Sequence, residues 1–550
     1  MRIMQKLTGA MTAIIVIAVS SAALASVSFV SGEVTGTWEA DSIIVTGAVN
    51  VPSGEMLTIE PGVNVFFLDY FAFEIKDNAV LHAVGTESDY IRFVPFNDGD
   101  RTLGLDFINA SSSSILEYVH IADALTSGIH LNNSGITVRN SLIEDNEAPT
   151  GSIGGGGIEI LNNSSALIEN NVIRNNYSAD YGGGIYIDNS SPVVTGNIIE
   201  NNLAGYYGSA AGGGIAVYGN SNPEITFNSI TSNSVNPVGN FFVRRGYGGA
   251  IYYSGESSGL ISDNHIFDNV VDSEPQTETF GGGLYITGAS PMVENNVIAY
   301  NQAQGNDGGG IFLYNSNSTF INNTVSFNSA GDFGGAVYSQ NSNPTFINSI
   351  LYFNQDSTGN EIWTENSYVA VYFSDIQGGW QGQGNIDIDP MFRDNENGDF
   401  HLMSTMCGDS YDSPAIDAGD SSIFDNYLNC DAGLGTERSD LGAYGGQGTP
   451  TTDINDPVED LVPESFLLAQ NYPNPFNAST SIEFSLENGA DVTVEVFDVL
   501  GKKVQTLADG HRSAGNHMVT WDASKQSTGV YFYRITADGS TETRKMSLLK

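Results

Sequence analysis

A unit that returns seven times between residues 155 and 354 constrains the fold of this chain more than any other feature. Each copy has a glycine cluster, two short apolar segments around a polar corner, and an asparagine-rich finish; residues 182–202 read GGGIYIDNSSPVVTGNIIENN. The finish is an aliphatic residue followed three positions later by Asn, and successive finishes are 26 to 36 residues apart. A period of about 20–50 residues is typical of solenoids, propellers and arrays.

The apolar segments are too short to be helices. GIYI, PVV and NIIEN have three to five residues each, are rich in β-branched side chains and are bounded by Gly, Asn, Ser and Pro, as strands are. Three such strands per repeat predict an all-β fold, a right-handed parallel β-helix, running continuously over about residues 33–446. A propeller blade would need about 40 residues and repeated hairpin turns of the Asn-Gly type, which the repeat lacks.

Asparagines also recur at a fixed corner of the repeat. Coils of a β-helix stack about 4.8 Å apart, so an Asn at one corner can pass its side-chain amide to the Asn above and below it. We favour this structural role over sugar binding because the repeat itself requires a residue at that corner. The expected ladder contains Asn171, Asn197, Asn228, Asn264, Asn296, Asn323 and Asn348.

Nearly all length variation lies between the asparagine finish and the next glycine cluster. Insertions at one corner project from one side of a solenoid, which is often its binding face. The longest are 203–211, 234–247 and 270–280. Their rings could stack on sugars and their acids could bond hydroxyls, or the rings could pack against the solenoid; both interpretations stay open. The candidate ligand-binding residues are Tyr206, Tyr207, Phe241, Phe242, Arg244, Arg245, Tyr247, Asp272, Glu274 and Phe280.

The net charge of −45 excludes several classes of partner. Lys76 is the only lysine of residues 26–462. Such a surface repels nucleic acid and anionic lipid, and it is a poor receptor for polyanionic sugars such as pectate or alginate. We expect no cofactor. Ca²⁺ binding by the acidic surface stays open, without an identified ligand set, and a solvated, aggregation-resistant surface is the simpler interpretation.

Residues 1–25 have the pattern of a secretory signal peptide. Arg2 and Lys6 precede an apolar run at 10–19 and a small-x-small cleavage site at 23–25. The run is too short to span a membrane, so we expect an exported mature chain without a transmembrane segment. In such a chain Cys407 and Cys430 predict one disulfide; two unpaired buried thiols are the alternative.

The solenoid is predicted over residues 26–384, with its repeats at 140–354. The segments at its two ends resemble known proteins. The initial coils at 33–95, beginning TGTWEADSIIVTGAVNV, resemble the start of many bacterial right-handed β-helix proteins. NIDIDPMFRDNENGDFHL within 385–446 resembles the closing segment of that class, which implies a C-terminal cap over the last open edge. The GGAI and GGAV openings of two repeats resemble chlamydial polymorphic outer-membrane proteins, which are adhesins.

After a linker at 447–463, alternating strands predict a small antiparallel, immunoglobulin-like sandwich. Within 464–550, NYPNPFNASTSIEFSL, VFDVLGKKV and GVYFYRI resemble the type A sorting domain of the type IX secretion system. The resemblance implies that the secretion machinery is a partner and that the chain crosses the outer membrane of a Bacteroidetes-like bacterium. The expected location is the cell surface or the extracellular space.

No catalytic motif emerges from the repeats. The Asn-Thr-Asp, Asp-Asp, Gly-His-Gly and Arg-Ile-Lys series of polygalacturonase-like enzymes is missing, as is the Arg-x-Pro-x-x-Arg pattern of pectate lyases. We therefore assign no catalytic or metal-binding residue and predict a protein that binds a glycan or a host or neighbouring cell surface. The alternative is a lyase or glycoside hydrolase acting on a neutral or weakly charged glycan.

Overall fold

The computed structural model describes residues 26–445 and 466–548, apart from 98, 150–153, 206–208, 238–243, 273–276, 426–427, 431–432, 469–475, 487–488, 499–501, 513–514, 527–528 and 538–539. The predicted signal peptide, residues 1–25, and the predicted linker, residues 447–463, lie outside the described residues. The described part of the chain up to residue 376 is built of short parallel strands that stack coil upon coil into three long sheets.

Sheet 1 follows the glycine clusters. Its strands are Phe73–Lys76, Leu105–Ile108, Ile129–Asn132, Ile158–Leu161, Ile185–Asp188, Ile215–Tyr218, Ile251–Ser254, Leu284–Thr287, Ile311–Tyr314, Val337–Gln340 and Ile362–Glu365. Sheet 2 follows the polar corner. Its strands are Gly36–Trp38, Met56–Ile59, Val80–Val84, Ile115–Glu117, Thr137–Arg139, Leu167–Glu169, Val193–Thr195, Glu224–Thr226, Leu260–Ser262, Met292–Glu294, Thr319–Ile321, Thr345–Ile347 and Ala370–Tyr372.

Sheet 3 contains the aliphatic residues of the asparagine finish. Its strands are Asn64–Phe67, Ile91–Pro95, Val119–Ala122, Leu142–Glu144, Val172–Arg174, Ile198–Glu200, Ser229–Thr231, His265–Phe267, Val297–Ala299, Thr324–Ser326, Ile350–Tyr352 and Asp375–Ile376. Two longer strands, Val27–Glu33 and Ser42–Val51, pair in both sheet 3 and sheet 1.

Two small sheets occupy the corner between sheet 3 and the next glycine cluster. Sheet 4 consists of Glu147–Ala148, Tyr177–Ser178, Leu203–Ala204, Ser234–Val235, Val270–Val271, Gln302–Ala303 and Ser329–Ala330. Sheet 5 consists of Ser209–Ala211, Arg244–Tyr247 and Thr277–Phe280. Sheet 5 is therefore built from the three longest insertions.

The core is a column of aliphatic side chains inside the coils. In sheet 1 each residue after the glycine cluster pairs with its counterpart in the next coil and is at most 1% exposed. These residues are Ile185, Ile215, Ile251, Leu284, Ile311 and Val337. The predicted parallel β-helix is confirmed.

The glycine clusters are needed for close packing at the corner. Gly182 has φ +63°, a conformation that disfavours side chains. A Cβ on Gly183 would lie 2.4 Å from the carbonyl oxygen of Gly213. The first glycine therefore turns the chain, and the second lets adjacent coils approach.

Two asparagine ladders run through the repeats. The finishing asparagines pass bonds from coil to coil, as from Asn202 Nδ2 to Asn233 Oδ1 at 2.9 Å. A second ladder contains the expected residues from Asn171 to Asn323. The prediction that Asn348 continues this ladder is wrong. The backbone amide of Asn323 donates to Ser349 Oγ instead, and Asn348 Nδ2 donates to Ser439 Oγ.

The end of the solenoid and its flank are covered by different segments. Residues 377–386 cover the end, where Trp380 Nε1 donates to the Val369 carbonyl at 3.3 Å and packs against the core. The flank segment, residues 387–445, lies along the outer face of sheet 3, where Phe400 and Leu441 pack in one cluster with Val297. The sequence predicts a cap over the open edge at 385–446, whereas residues 387–445 pack laterally on the outer face of sheet 3, which is apolar here.

The flank segment contains the antiparallel strands Phe392–Asp394 and Asp399–Leu402 and the 3₁₀ turns Asn395–Asn397 and Thr405–Cys407. Cys407 and Cys430 form a disulfide across a sequence separation of 23 residues. The bond lies wholly within the flank segment, so it constrains this segment and not the coils.

The C-terminal part folds as two antiparallel sheets around a shared core that contains Trp521 and Tyr533. One sheet consists of Phe466–Leu468, Ser479–Leu486 and Gly515–Asp522. The other consists of Lys503–Arg512, Ala490–Asp498, Gly529–Ala537 and Ser540–Leu548.

Candidate functional site

Only part of the predicted loop site falls within the described residues. Arg244, Arg245, Tyr247 and Phe280 lie in sheet 5, and Asp272 follows a strand of sheet 4. The remaining candidates, Tyr206, Tyr207, Phe241, Phe242 and Glu274, lie outside the described residues. The structure therefore brings four of the predicted residues onto two adjacent strands.

The rings of Tyr247 and Phe280 pack against the solenoid. They stack on each other with centroids 5.7 Å apart, and Tyr247 lies 4.7 Å from Tyr285. Phe280 lies 5.0 Å from Phe312. Tyr285 and Phe312 belong to an aromatic column on the outer face of sheet 1 and are themselves buried. These contacts favour loop anchoring over ligand binding for both rings.

The charged candidate residues also make hydrogen bonds between neighbouring coils. Arg245 Nε donates to Glu278 Oε2 at 2.7 Å, and both side chains are substantially exposed. The amide of Asp272 donates to the Val235 carbonyl at 2.9 Å and so continues the corner ladder. The described candidates therefore join neighbouring coils.

A cleft on the opposite side of the corner was not predicted. It has a volume of about 420 Å³ and lies between the outer face of sheet 3 and the flank segment. We call it the flank cleft. Its lining residues are Ser229, Thr231, His265, Phe267, Asp268, Tyr300, Glu396, Asn397 and Gly398.

The alternation of a strand explains why these side chains face outward. Ile230 and Ile266 point into the core and are fully buried, so their sequence neighbours lie on the outer face of sheet 3. Asp268 follows its strand with φ +53°, which turns the chain towards the corner. Glu396 comes from the first 3₁₀ turn of the flank segment, which forms the opposite wall.

Aromatic packing holds the two walls of the flank cleft together. The Tyr300 hydroxyl donates to the Asn395 carbonyl at 2.9 Å. Phe267 lies 5.7 Å from Phe400 of the flank segment and 6.4 Å from Tyr300. A direct hydrogen bond therefore joins the two walls of the cleft, between residues that are 95 positions apart in the sequence.

His265 is the least exposed polar group in the flank cleft. It is 5% exposed, and no described residue bonds its Nε2 atom. Its pKa falls to about 4 because burial, and next the neighbouring His401, disfavour the charged ring. His265 is thus a neutral imidazole at neutral pH, with one nitrogen unsatisfied by the protein.

Asp268 supplies a carboxylate in the same cleft. Burial raises its pKa, and no described residue donates a hydrogen bond to its carboxylate oxygens. The flank cleft therefore combines rings, hydroxyls, an amide, a neutral imidazole and two carboxylates.

Sequence reasoning missed this site, although one signal was present. The residue before each finishing Asn has a positive φ, and it changes from Asn175 and Asn201 to Tyr300, Phe327 and Phe353 along the chain. A bulky residue is uncommon in that conformation. Rings at this position indicate an outer face that another segment covers.

Comparisons with known proteins bear on both parts of the chain. A family model described as right handed beta helix region matches residues 102–240 and 206–351. A model described as secretion system C-terminal sorting domain matches residues 470–548. No curated protein and no solved structure matches the chain, and the resemblance to chlamydial repeats is not among the matches.

The described residues meet the requirements neither for a membrane-spanning helix nor for a metal-binding cluster. Among the described residues, no helix has the length and apolar character needed to cross a bilayer. The same residues contain no group of three or more His, Cys, Asp or Glu side chains arranged to hold a metal ion.

The chain is a right-handed parallel β-helix protein with a type IX secretion sorting domain at residues 470–548, which directs it to the cell surface or the extracellular space.

Proposed function

We propose that this secreted or surface-displayed protein binds a glycan in the flank cleft. The glycan is a polysaccharide or is carried by a cell surface. The observation that carries the proposal is the lining of that cleft, where Phe267 and Tyr300 lie beside hydroxyl, amide and carboxylate groups. Sugar rings present apolar C–H faces and a rim of hydroxyls, so they are complementary to such a mixture.

The size of the flank cleft and the burial of His265 support a small-ligand site. Its volume of about 420 Å³ lies within the range of about 300–1,000 Å³ that is usual for ligand pockets. A buried, unsatisfied nitrogen such as His265 Nε2 costs free energy unless a ligand or water bonds it. A sugar hydroxyl can do so in either direction, since it both donates and accepts.

The proposed site differs from the loop face suggested by the sequence. Tyr247 and Phe280 direct their rings into the aromatic column, and Arg245 is bonded to Glu278. The flank cleft leaves polar atoms without protein partners and therefore has more capacity for a ligand.

Glycan cleavage is the second candidate function. Glycoside hydrolysis uses two carboxyl groups, one of which is kept protonated. Asp268 and Glu396 line the same cleft from opposite walls, and burial raises the pKa of Asp268. This pair is the observation that favours hydrolysis.

A glycan array probed with residues 26–550 tests the proposal. We expect binding to a subset of glycans that Phe267→Ala reduces at least about tenfold, because the variant removes the ring wall. Arg245→Ala, on the loop face, is the matched control and should bind normally. Binding lost in Arg245→Ala but kept in Phe267→Ala would contradict the site, and new reducing ends after incubation would favour the hydrolase.

A further inference from the structure

We propose that the flank cleft prefers a glycan whose sugar carries a free amine, as in a de-N-acetylated amino sugar, over neutral and acidic glycans. This preference rests on the proposed function, because it concerns the ligand class of the same cleft. It follows from the charges around the cleft and from its aromatic wall.

The charges of the lining residues are of one sign. Asp268 and Glu396 are carboxylates on opposite walls, and none of the residues that line the cleft is Lys or Arg. His265 adds no positive charge at neutral pH, since burial lowers its pKa to about 4. A uronate in this cleft would be repelled by both carboxylates, whereas an ammonium would be attracted from two sides.

The carboxylate of Asp268 has no positively charged partner in the described part of the chain. Asp268 is exposed on the cleft wall, no described residue donates a hydrogen bond to its carboxylate oxygens, and partial desolvation raises its pKa. Such a group favours a ligand that supplies positive charge and N–H donors. A protonated sugar amine supplies both in one group.

The aromatic wall also suits a cation. Phe267 and Tyr300 border the same cavity as Asp268. A ring face attracts a cation within about 6 Å of its centroid, and a neighbouring carboxylate adds to this attraction. An N-acetyl group would remove the charge while keeping the sugar backbone, so it makes the closest neutral comparison.

Calorimetry with three β-1,4-linked tetrasaccharides tests the preference. The tetramers are glucosamine, N-acetylglucosamine and glucuronic acid, titrated into residues 26–550 at mildly acidic pH and physiological salt. We expect glucosamine to bind at least about tenfold more tightly than N-acetylglucosamine, and glucuronic acid not to bind. Physiological salt limits the general attraction of a cation to a chain of net charge −45.

Three variants assign the preference to the cleft. Asp268→Asn and Glu396→Gln should bring the glucosamine to N-acetylglucosamine ratio close to one, whereas Glu278→Gln on the loop face should leave it unchanged. Equal binding of both tetramers to the wild type, or a ratio that survives both cleft variants, would overturn the preference and leave glycan binding intact. If no glycan binds either here or on the array, the proposed function itself fails.

Discussion

At the scale of single residues, the finishing asparagines need an acceptor where their ladder ends. Asn354 is the last of them, and its Nδ2 atom and amide donate to the carboxylate of Glu361 at 2.7 and 3.2 Å. Glu361 is 4% exposed, and burial raises its pKa from 4.5 to about 8. The ladder is therefore completed by a buried carboxyl group whose pKa lies well above its ordinary value.

Glu361→Gln is expected to alter the pH dependence of stability. A pKa raised on folding gives stability that is present below about 4.5 and is lost as pH rises through about 8. The wild type should lose on the order of a few kcal/mol over this interval through Glu361. The variant should lose less between about pH 5 and pH 8, measured by chemical denaturation.

The exposed Glu60→Gln is the matched control and should follow the wild type. An equal loss of stability in wild type and Glu361→Gln would contradict the role of Glu361. Other buried carboxyls, such as Asp440 and Asp375, have pKa values raised to about 8 and about 7. They add to the loss in all three proteins without affecting the comparison.

Residue-level prediction reaches its limit where two polar residues are adjacent. Asn348 and Ser349 both fit the corner from sequence, because an Asn and a Ser side chain can each accept one bond from the coil below. The structure places Ser349 in the ladder and turns Asn348 towards the flank segment. A contact with a distant segment decided between them.

At the scale of elements, strand existence and order follow from the sequence because inward residues alternate strictly within each repeat. The role of the loop rings does not follow. Tyr247 precedes a glycine cluster in a long insertion, so sequence alone treats it as an exposed loop residue. The structure packs it between Phe280 and Tyr285, because the described ends of the insertions form sheet 5 beside the aromatic column of sheet 1.

Tyr247→Ala should consequently lower stability and leave glycan binding intact. The loss should be about 1–3 kcal/mol, because the variant removes a half-buried ring that stacks on Phe280 and packs against Tyr285. Arg245→Ala, which breaks the exposed ion pair with Glu278, should cost about 0.2–1 kcal/mol. Thermal unfolding measures both, and equal, small losses would show that the ring does not anchor the loop.

At the scale of the whole molecule, the solenoid and the sorting domain are both predictable because each has a local sequence signature. The flank cleft is not, since its walls meet only after the flank segment has folded back, as the Tyr300 bond to Asn395 shows. Period and composition carry no information on which face this segment covers.

Deletion of residues 464–550 should retain the protein in the periplasm. The match to the sorting domain lies within this segment, so its loss removes the export signal for the outer membrane. Cell fractionation and surface labelling measure the outcome in the source bacterium or a related type IX strain. Phe267→Ala, which keeps the segment, should reach the surface; unchanged display of the truncated protein would contradict this assignment.

The location of the bound glycan tests the central claim most directly. A crystal structure of residues 26–550 with the tightest-binding oligosaccharide should show a sugar ring in the flank cleft, in contact with Phe267 and within hydrogen-bonding distance of His265 Nε2. A sugar bound on the loops at 203–211, 234–247 and 270–280, with the flank cleft holding only water, would contradict the account.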